Sequence, residues 1–190
     1  MNLQGILPFA RTLLEAAASD GSAVIDATCG NGNDTLYLSR LVGKSGRVFG
    51  FDIQELAIQN TTRRLLEEQA FDNVTLFHAG HHTMKSAIPV EYHGSIAAAI
   101  FNLGYLPGGN KEIVTQSDST IEALEQLYDL LAPGGIVVLV IYHGHEQGKK
   151  ERDAVLKYAS QLDQQKAHVL QYGFINQKNS PPFIVAIEKR

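Results

Sequence analysis

The side chains of this chain that could do chemistry gather just after its apolar runs. Val24-Ile-Asp-Ala-Thr-Cys-Gly-Asn-Gly-Asn-Asp-Thr35 passes from one such run into a turn punctuated by Gly30 and Gly32. Asp52 closes the next run, Arg47-Val-Phe-Gly-Phe-Asp52, and Gly80-His81-His82 follows a third. Asn102-Leu103-Gly104-Tyr105 ends a fourth, and His143-Gly-His145-Glu146 ends the most apolar of all. Glycines at positions 30 and 32 let the backbone turn tightly and approach a ligand that a Cβ atom would block. Acids, amides and imidazoles at run ends suit ligand binding and proton handling more than a packed interior.

The elements that must position these groups can be read from periodicity. Ile6, Phe9, Ala10, Leu13, Leu14 and Ala17 fall at helical spacing, which predicts a lead-in helix over about Gly5 to Ala18. Strands are expected at Ser22–Ala27, Arg47–Asp52, Val74–Ala79, Ser95–Asn102 and Ile136–Tyr142. Helices are expected at Thr35–Leu41, capped by Asn33 or Asp34, and at Glu55–Gln69, Ser117–Leu131 and Lys149–Leu162. Two last strands, His168–Asn176 and Phe183–Lys189, are joined by a link too short for a crossover helix, so they should pair antiparallel. The expectation is one domain over 1–190. Its fold is α/β: a doubly wound, mostly parallel seven-stranded sheet with helices on both faces and a C-terminal antiparallel hairpin.

In such sheets ligands sit beyond the carboxyl ends of the strands, near the point where strand order reverses. A dinucleotide loop would need glycine or alanine at Thr35, and a phosphate-gripping loop would need Gly-Lys-Ser/Thr; neither is present. Asp26 beside the loop disfavours phosphate and favours a cationic ligand. Asp52, twenty residues after Gly32, stands where an acid accepts both ribose hydroxyls. A ribose, no phosphate and a positive charge together describe S-adenosylmethionine.

Bulk properties narrow the classes. With 190 residues, 44% hydrophobic and 19% charged, the chain has the makeup of an ordinary globular protein with a substantial core. A net charge of −4 gives no general attraction to nucleic acid, though a local basic patch remains compatible with it. The single cysteine, Cys29, excludes an internal disulfide and suits a reducing, cytoplasmic location. Ile136–Tyr142 is too short to cross a bilayer, and Arg11 and Glu15 interrupt any N-terminal leader pattern. His78, His81 and His82 cluster, yet no His-Glu-x-x-His helix or cysteine pair accompanies them, so no metal is expected. Basic residues that could meet RNA are Arg63, Arg64, Lys85, Lys111, Lys149, Lys150 and Arg152. Arg63 and Arg64 read as the solvated face of a helix, whereas Lys111, Lys149, Lys150 and Arg152 follow the proposed substrate motifs and suit phosphate contacts.

Asp26-Ala-Thr-Cys-Gly-Asn-Gly-Asn-Asp-Thr35 resembles the first motif of class I S-adenosylmethionine-dependent methyltransferases. Combined with Phe101-Asn-Leu-Gly-Tyr-Leu-Pro-Gly-Gly109, His143-Gly-His-Glu146 and Asn179-Ser-Pro-Pro-Phe183, it is similar to the MnmM (YtqB-like) family over essentially the whole chain. The resemblance implies a Rossmann-like methyltransferase with S-adenosylmethionine as cofactor. It implies tRNA as partner, with methylation of the aminomethyl nitrogen of 5-aminomethyluridine at the wobble position to 5-methylaminomethyluridine. Within the cofactor site it implies that Asn31 and Asn33 line the methionine end and that Asp52 takes the ribose, with Gln54 beside it. Gly80, His81 and His82 would contact adenine or close over the cofactor.

Amino-methylating enzymes of this fold carry Asn/Asp-Pro-Pro-Tyr/Phe where this chain has Asn102-Leu103-Gly104-Tyr105. Asn102 and the Leu103 carbonyl are expected to accept the hydrogens of the acceptor amine, and Tyr105 to pack against the base. The acceptor must also lose a proton, and Asp26, His143, His145 or solvent are all candidates to take it. His143 and His145 are expected to contact substrate. A homodimer would give a small domain a second surface for tRNA. Alternatives at this point are an rRNA or small-molecule amine acceptor, and a non-catalytic S-adenosylmethionine-binding module.

Overall fold

The computed structural model describes residues 2–106, 108 and 114–190. Alternation along the strands sets its layering. In β1 (Ala23–Asp26) and β2 (Arg47–Asp52), Val24 and Val48 face one side of the sheet while Ile25 and Phe49 face the other. Both sides are apolar, so both must be covered. Helices α1 (Ile6–Ala17), α2 (Asn33–Val42) and α3 (Glu55–Glu67) bury Leu14, Leu38 and Leu65 against the Val24 side. The Ile25 side receives α4 (Met84–Ala87), α5 (Ser117–Leu130) and α6 (Glu146–Ser160) through Met84, Leu127 and Val155.

The remaining strands are β3 (Val74–His78), β4 (Ile96–Leu103), β5 (Leu131–Ile141), β6 (Ala167–Tyr172) and β7 (Phe183–Lys189). The sheet order is β3-β2-β1-β4-β5-β7-β6. Strands β1 to β5 run parallel, and β7 lies antiparallel to both β5 and β6. The expected doubly wound sheet with a terminal hairpin is therefore present. Strand order reverses between β1 and β4, which opens a crevice at their carboxyl ends. Register fixes the depth of each group there. Asp26 pairs with Gly50 on one side and Ile100 on the other, so Asp52 and Asn102 each extend two residues farther out.

Several element boundaries differ from the periodic reading, each for a local reason. Helix α2 begins at Asn33, and neither Asn33 nor Asp34 caps it: the cap position is Gly32, at φ +76°, with no side-chain bond. A Cβ at Gly32 would stand 2.9 Å from the Thr61 Cα, so this glycine lets α2 start directly against α3. Strand β5 begins at Leu131 because Leu131 pairs with Ile96 before the Pro-Gly-Gly segment bulges out and pairing resumes at Ile136. Helix α6 starts at Glu146, earlier than expected, because the His145 imidazole caps it by accepting the Gly148 N–H at 3.0 Å. Strand β6 stops at Tyr172, whose ring stacks on Phe9 of α1 at 4.0 Å. None of the described helices is long and apolar enough to cross a membrane.

Candidate active site

The turn after β1 is held from below. Asp26 is fully buried, accepting the Thr35 hydroxyl at 2.6 Å and the Thr28 N–H at 3.2 Å. Burial, reinforced by the nearby Asp34 charge, pushes its carboxyl up to about 7. Asp26 lies under the turn and lines neither of the cavities described below. Gly30, at φ +54°, directs its N–H to Asp52 Oδ2 at 3.0 Å, while the Gln54 N–H reaches Oδ1 at 2.9 Å. Two backbone donors thus clasp the Asp52 carboxylate, and each oxygen keeps a second lone pair for a ligand. Arg64 is not a solvated face residue: its Nε donates to the Asn31 carbonyl at 2.7 Å, tying α3 to the turn. Arg63 is exposed, as expected.

Two adjoining cavities open over this floor. The first, about 430 Å³, is bordered by Gly30, Asp52, Gln54, Gly80, His81 and His82, with Ser119 across from them. Its described lining includes no lysine or arginine. His81 is buried, which holds its imidazole down near 4 and therefore neutral at pH 7. Its Nδ1 faces the Ala27 carbonyl at 3.2 Å, so that nitrogen carries the proton; Nε2 stands 3.4 Å from the Ser119 hydroxyl. The Gly80 backbone is crowded by the His82 ring, within 2.5 Å of where a Cβ would stand. A clasped acid, a neutral imidazole and a described lining without lysine or arginine fit a phosphate-free nucleoside with positive charge.

The second cavity, about 750 Å³, is bordered by Asn31, Asn33, Asp34, Tyr142, His143 and His145, with Leu7 and Arg11 of α1 at its rim. Thr28, Gly30, Asn102, Gly104 and Tyr105 line both cavities. Asn102 is thus the amide at the junction. Its N–H donates to Thr28 Oγ1 at 2.7 Å, and its Nδ2 donates to Asp34 Oδ2 at 2.8 Å. A carboxylate only accepts, so this bond fixes the amide with its nitrogen on Asp34 and its oxygen turned elsewhere. Tyr105 is 44% exposed, and its ring centre lies 5.9 Å from that of His145. Both histidines keep a buried ring nitrogen without a hydrogen-bond partner, Nδ1 of His143 and Nε2 of His145.

Not every expected residue reaches the cavities. The Leu103 side chain is buried and its carbonyl already accepts the Tyr142 N–H at 3.0 Å, so it offers an amine only a second lone pair. Gly32 faces α3. Asn31 and Asn33 line the second cavity, beside the first. Lys149 is exposed, 3.3 Å from Glu146, and lines neither cavity; Lys111 lies outside the described residues. Sequence reasoning missed Asp34, Thr28, Arg11, Tyr142 and Ser119. Asp34 stands in the quoted turn but reads there as a helix cap. Arg11 sits far away in the chain and has no local signal. Ser180, within Asn179-Ser-Pro-Pro-Phe183, also reaches the second cavity, from a backbone at φ +51°.

A family model described as "Putative rRNA methylase" matches residues 48–188. A crystal structure of a "putative rRNA-methylase" from Clostridium thermocellum is 44% identical, with each chain fully covered and a TM-score of 0.95. A "putative methyltransferase" from Streptococcus mutans, solved in complex with SAH, is 38% identical over 99% of both chains, with a TM-score of 0.88. The "tRNA (mnm(5)s(2)U34)-methyltransferase, chloroplastic" of Arabidopsis thaliana is 41% identical over 163 residues, 80% of this chain. This chain spans 58% of that plant protein's length. The match over residues 48–188, the full-length structural likeness and the cationic-nucleoside cradle agree: the chain belongs to the family described as rRNA methylase, S-adenosylmethionine-dependent methyltransferases of the class I fold.

Proposed function

We propose that this chain methylates tRNA, using S-adenosylmethionine to convert 5-aminomethyluridine at the wobble position into 5-methylaminomethyluridine. The observation that carries the reading is the meeting of two cavities at Asn102. One has the clasped Asp52 and, among the described residues, no lysine or arginine in its lining; the other has an acid, an amide and aromatic rings. The name of the plant relative, a tRNA (mnm(5)s(2)U34)-methyltransferase, supports the same acceptor.

The cofactor supplies an electrophilic methyl group. In the first cavity Asp52 accepts the ribose hydroxyls, with Gln54 beside it, and Gly80, His81 and His82 enclose the base. Asn102, its nitrogen held by Asp34, presents its oxygen to the hydrogens of the acceptor amine and aims the nitrogen lone pair. Tyr105, exposed and shared by both cavities, stacks on the uracil once the base leaves the anticodon stack. Lys149 and Lys150, both exposed, reach tRNA phosphates from the start of α6. A second copy of the chain would extend that surface.

The test is to incubate the protein with labelled S-adenosylmethionine and bulk tRNA from cells lacking it, and to identify the nucleoside by mass spectrometry. Label in 5-methylaminomethyluridine is the expected result. Label in rRNA but not in tRNA under the same conditions would refute the proposal.

A further inference from the structure

We infer that Asp34 is the residue that selects a positively charged acceptor, an alkylammonium, over a neutral group of the same shape. The inference rests on the reading above and names the side chain that would recognise its substrate. Asp34 lines the second cavity beside Asn102, and its side chain is 17% exposed. Its Oδ2 accepts one neutral hydrogen bond, from Asn102 Nδ2 at 2.8 Å. Its other oxygen is 4.0 Å from Arg11, whose half-exposed guanidinium lies over the Tyr37 ring at 4.5 Å. That separation is beyond a hydrogen bond, so the pair leaves Oδ1 with lone pairs open to a closer donor.

Asp34 sits in the first turn of α2 but makes no capping bond there, and its carboxylate turns to Asn102 instead. Among the described residues, the ionisable groups that interact with it are Arg11 of α1, Tyr37 of α2, the buried Asp26 of β1 and Tyr142 after β5, and His143 and His145 line the same cavity. Arg11 is the only lysine or arginine among those described groups, and its side chain is 46% exposed. An ammonium entering the second cavity would meet the carboxylate directly, with the Asn102 amide next to it. Once the amine has given up a proton to solvent, its lone pair forms the new N–C bond. The S–C bond breaks, its electron pair stays on sulfur, and the methylated product leaves with the charge. Asp34 thereby gathers the protonated acceptor at the place where Asn102 orients the neutral one.

The experiment compares two anticodon stem-loops that differ only at the wobble base: 5-aminomethyluridine and its neutral counterpart 5-hydroxymethyluridine. Each is titrated into the wild-type protein, Asp34→Asn and Asp34→Glu, with S-adenosylhomocysteine present. Asparagine keeps an acceptor for Asn102 and removes the charge; glutamate keeps the charge. The wild type should prefer the aminomethyl stem-loop by about tenfold or more, as for a charge-assisted hydrogen bond. Asp34→Asn should lose most of that preference, and Asp34→Glu should retain part of it. Partial loss of structure would weaken both stem-loops by the same factor, so it cannot by itself remove the preference. An unchanged ratio in Asp34→Asn, or none in the wild type, overturns the inference. Methylation of the aminomethyl stem-loop by the wild type is measured in parallel. Its absence refutes the acceptor itself, whereas its presence with an unchanged ratio refutes only the role of Asp34.

Discussion

The two halves of the crevice are held by different means. Around the first cavity, the proposed cofactor side, backbone groups fix the geometry: Gly30 and Gln54 clasp Asp52, the Ala27 carbonyl fixes His81, and Asp26 lies buried under the turn. Around the second cavity, the proposed acceptor side, side chains set the geometry: Asp34 holds Asn102, and His145 both caps α6 and faces Tyr105. Backbone bonds follow from the strand register, so any sequence with this fold and these turns reproduces the first half. Side-chain bonds between distant elements are specific to the chain. A common cradle with an individual acceptor pocket is how one fold serves many methyl acceptors.

If that contrast is right, changes on the cofactor side should move stability and cofactor affinity, and changes on the acceptor side should move turnover. The largest effect is expected at Asp26. Its carboxyl is raised from 3.8 to about 7, so between those values the native chain holds a proton that the unfolded chain has lost. The stability linked to this group is therefore present below pH 4 and lost as pH rises toward 7. The shift corresponds to about 4 kcal/mol. Denaturant unfolding of Asp26→Asn should show a flatter dependence across this window than the wild type. Equal slopes would mean that Asp26 is ionised in the folded chain.

Next in size is Asn102→Ala, which should lower turnover by about 100-fold while cofactor affinity stays within about twofold. Single-turnover kinetics beside calorimetric titration separates the two. A matching loss of cofactor affinity would erase the division between the halves. Asp52→Ala should do the reverse of Asn102→Ala at the binding step, weakening S-adenosylmethionine by about 1.5–3 kcal/mol for each charged hydrogen bond lost. Calorimetry checks this directly, and unchanged affinity would remove Asp52 from the site. The smallest effect belongs to Lys149→Ala combined with Lys150→Ala. Removing two phosphate contacts should make the salt dependence of tRNA binding shallower without changing S-adenosylmethionine affinity.

The same contrast explains what could be read from sequence. Strands β2 and β7 have the boundaries that alternation and their turns predict, because burial on both faces leaves them little choice. The place of Asp52 in the crevice was legible because its distance from the glycine turn is set by a strand-helix-strand unit. Asp34 was not, because its partner Asn102 is 68 residues away and only the β1–β4 pairing brings them together. Arg64 was misread because its helical position looks solvated until the turn is folded against it. The α6 start was misread because histidine is an unusual cap, and its Nδ1 can accept only in one tautomer.

The central claim is that an amine carried on a wobble uridine meets the methyl group at Asn102. The most direct test gives the protein S-adenosylmethionine and two versions of one tRNA, one bearing 5-aminomethyluridine and one transcribed without modification. Nucleoside mass spectrometry should find 5-methylaminomethyluridine in the first and no new methyl group in the second. Equal methylation of both, at any position, would contradict the account.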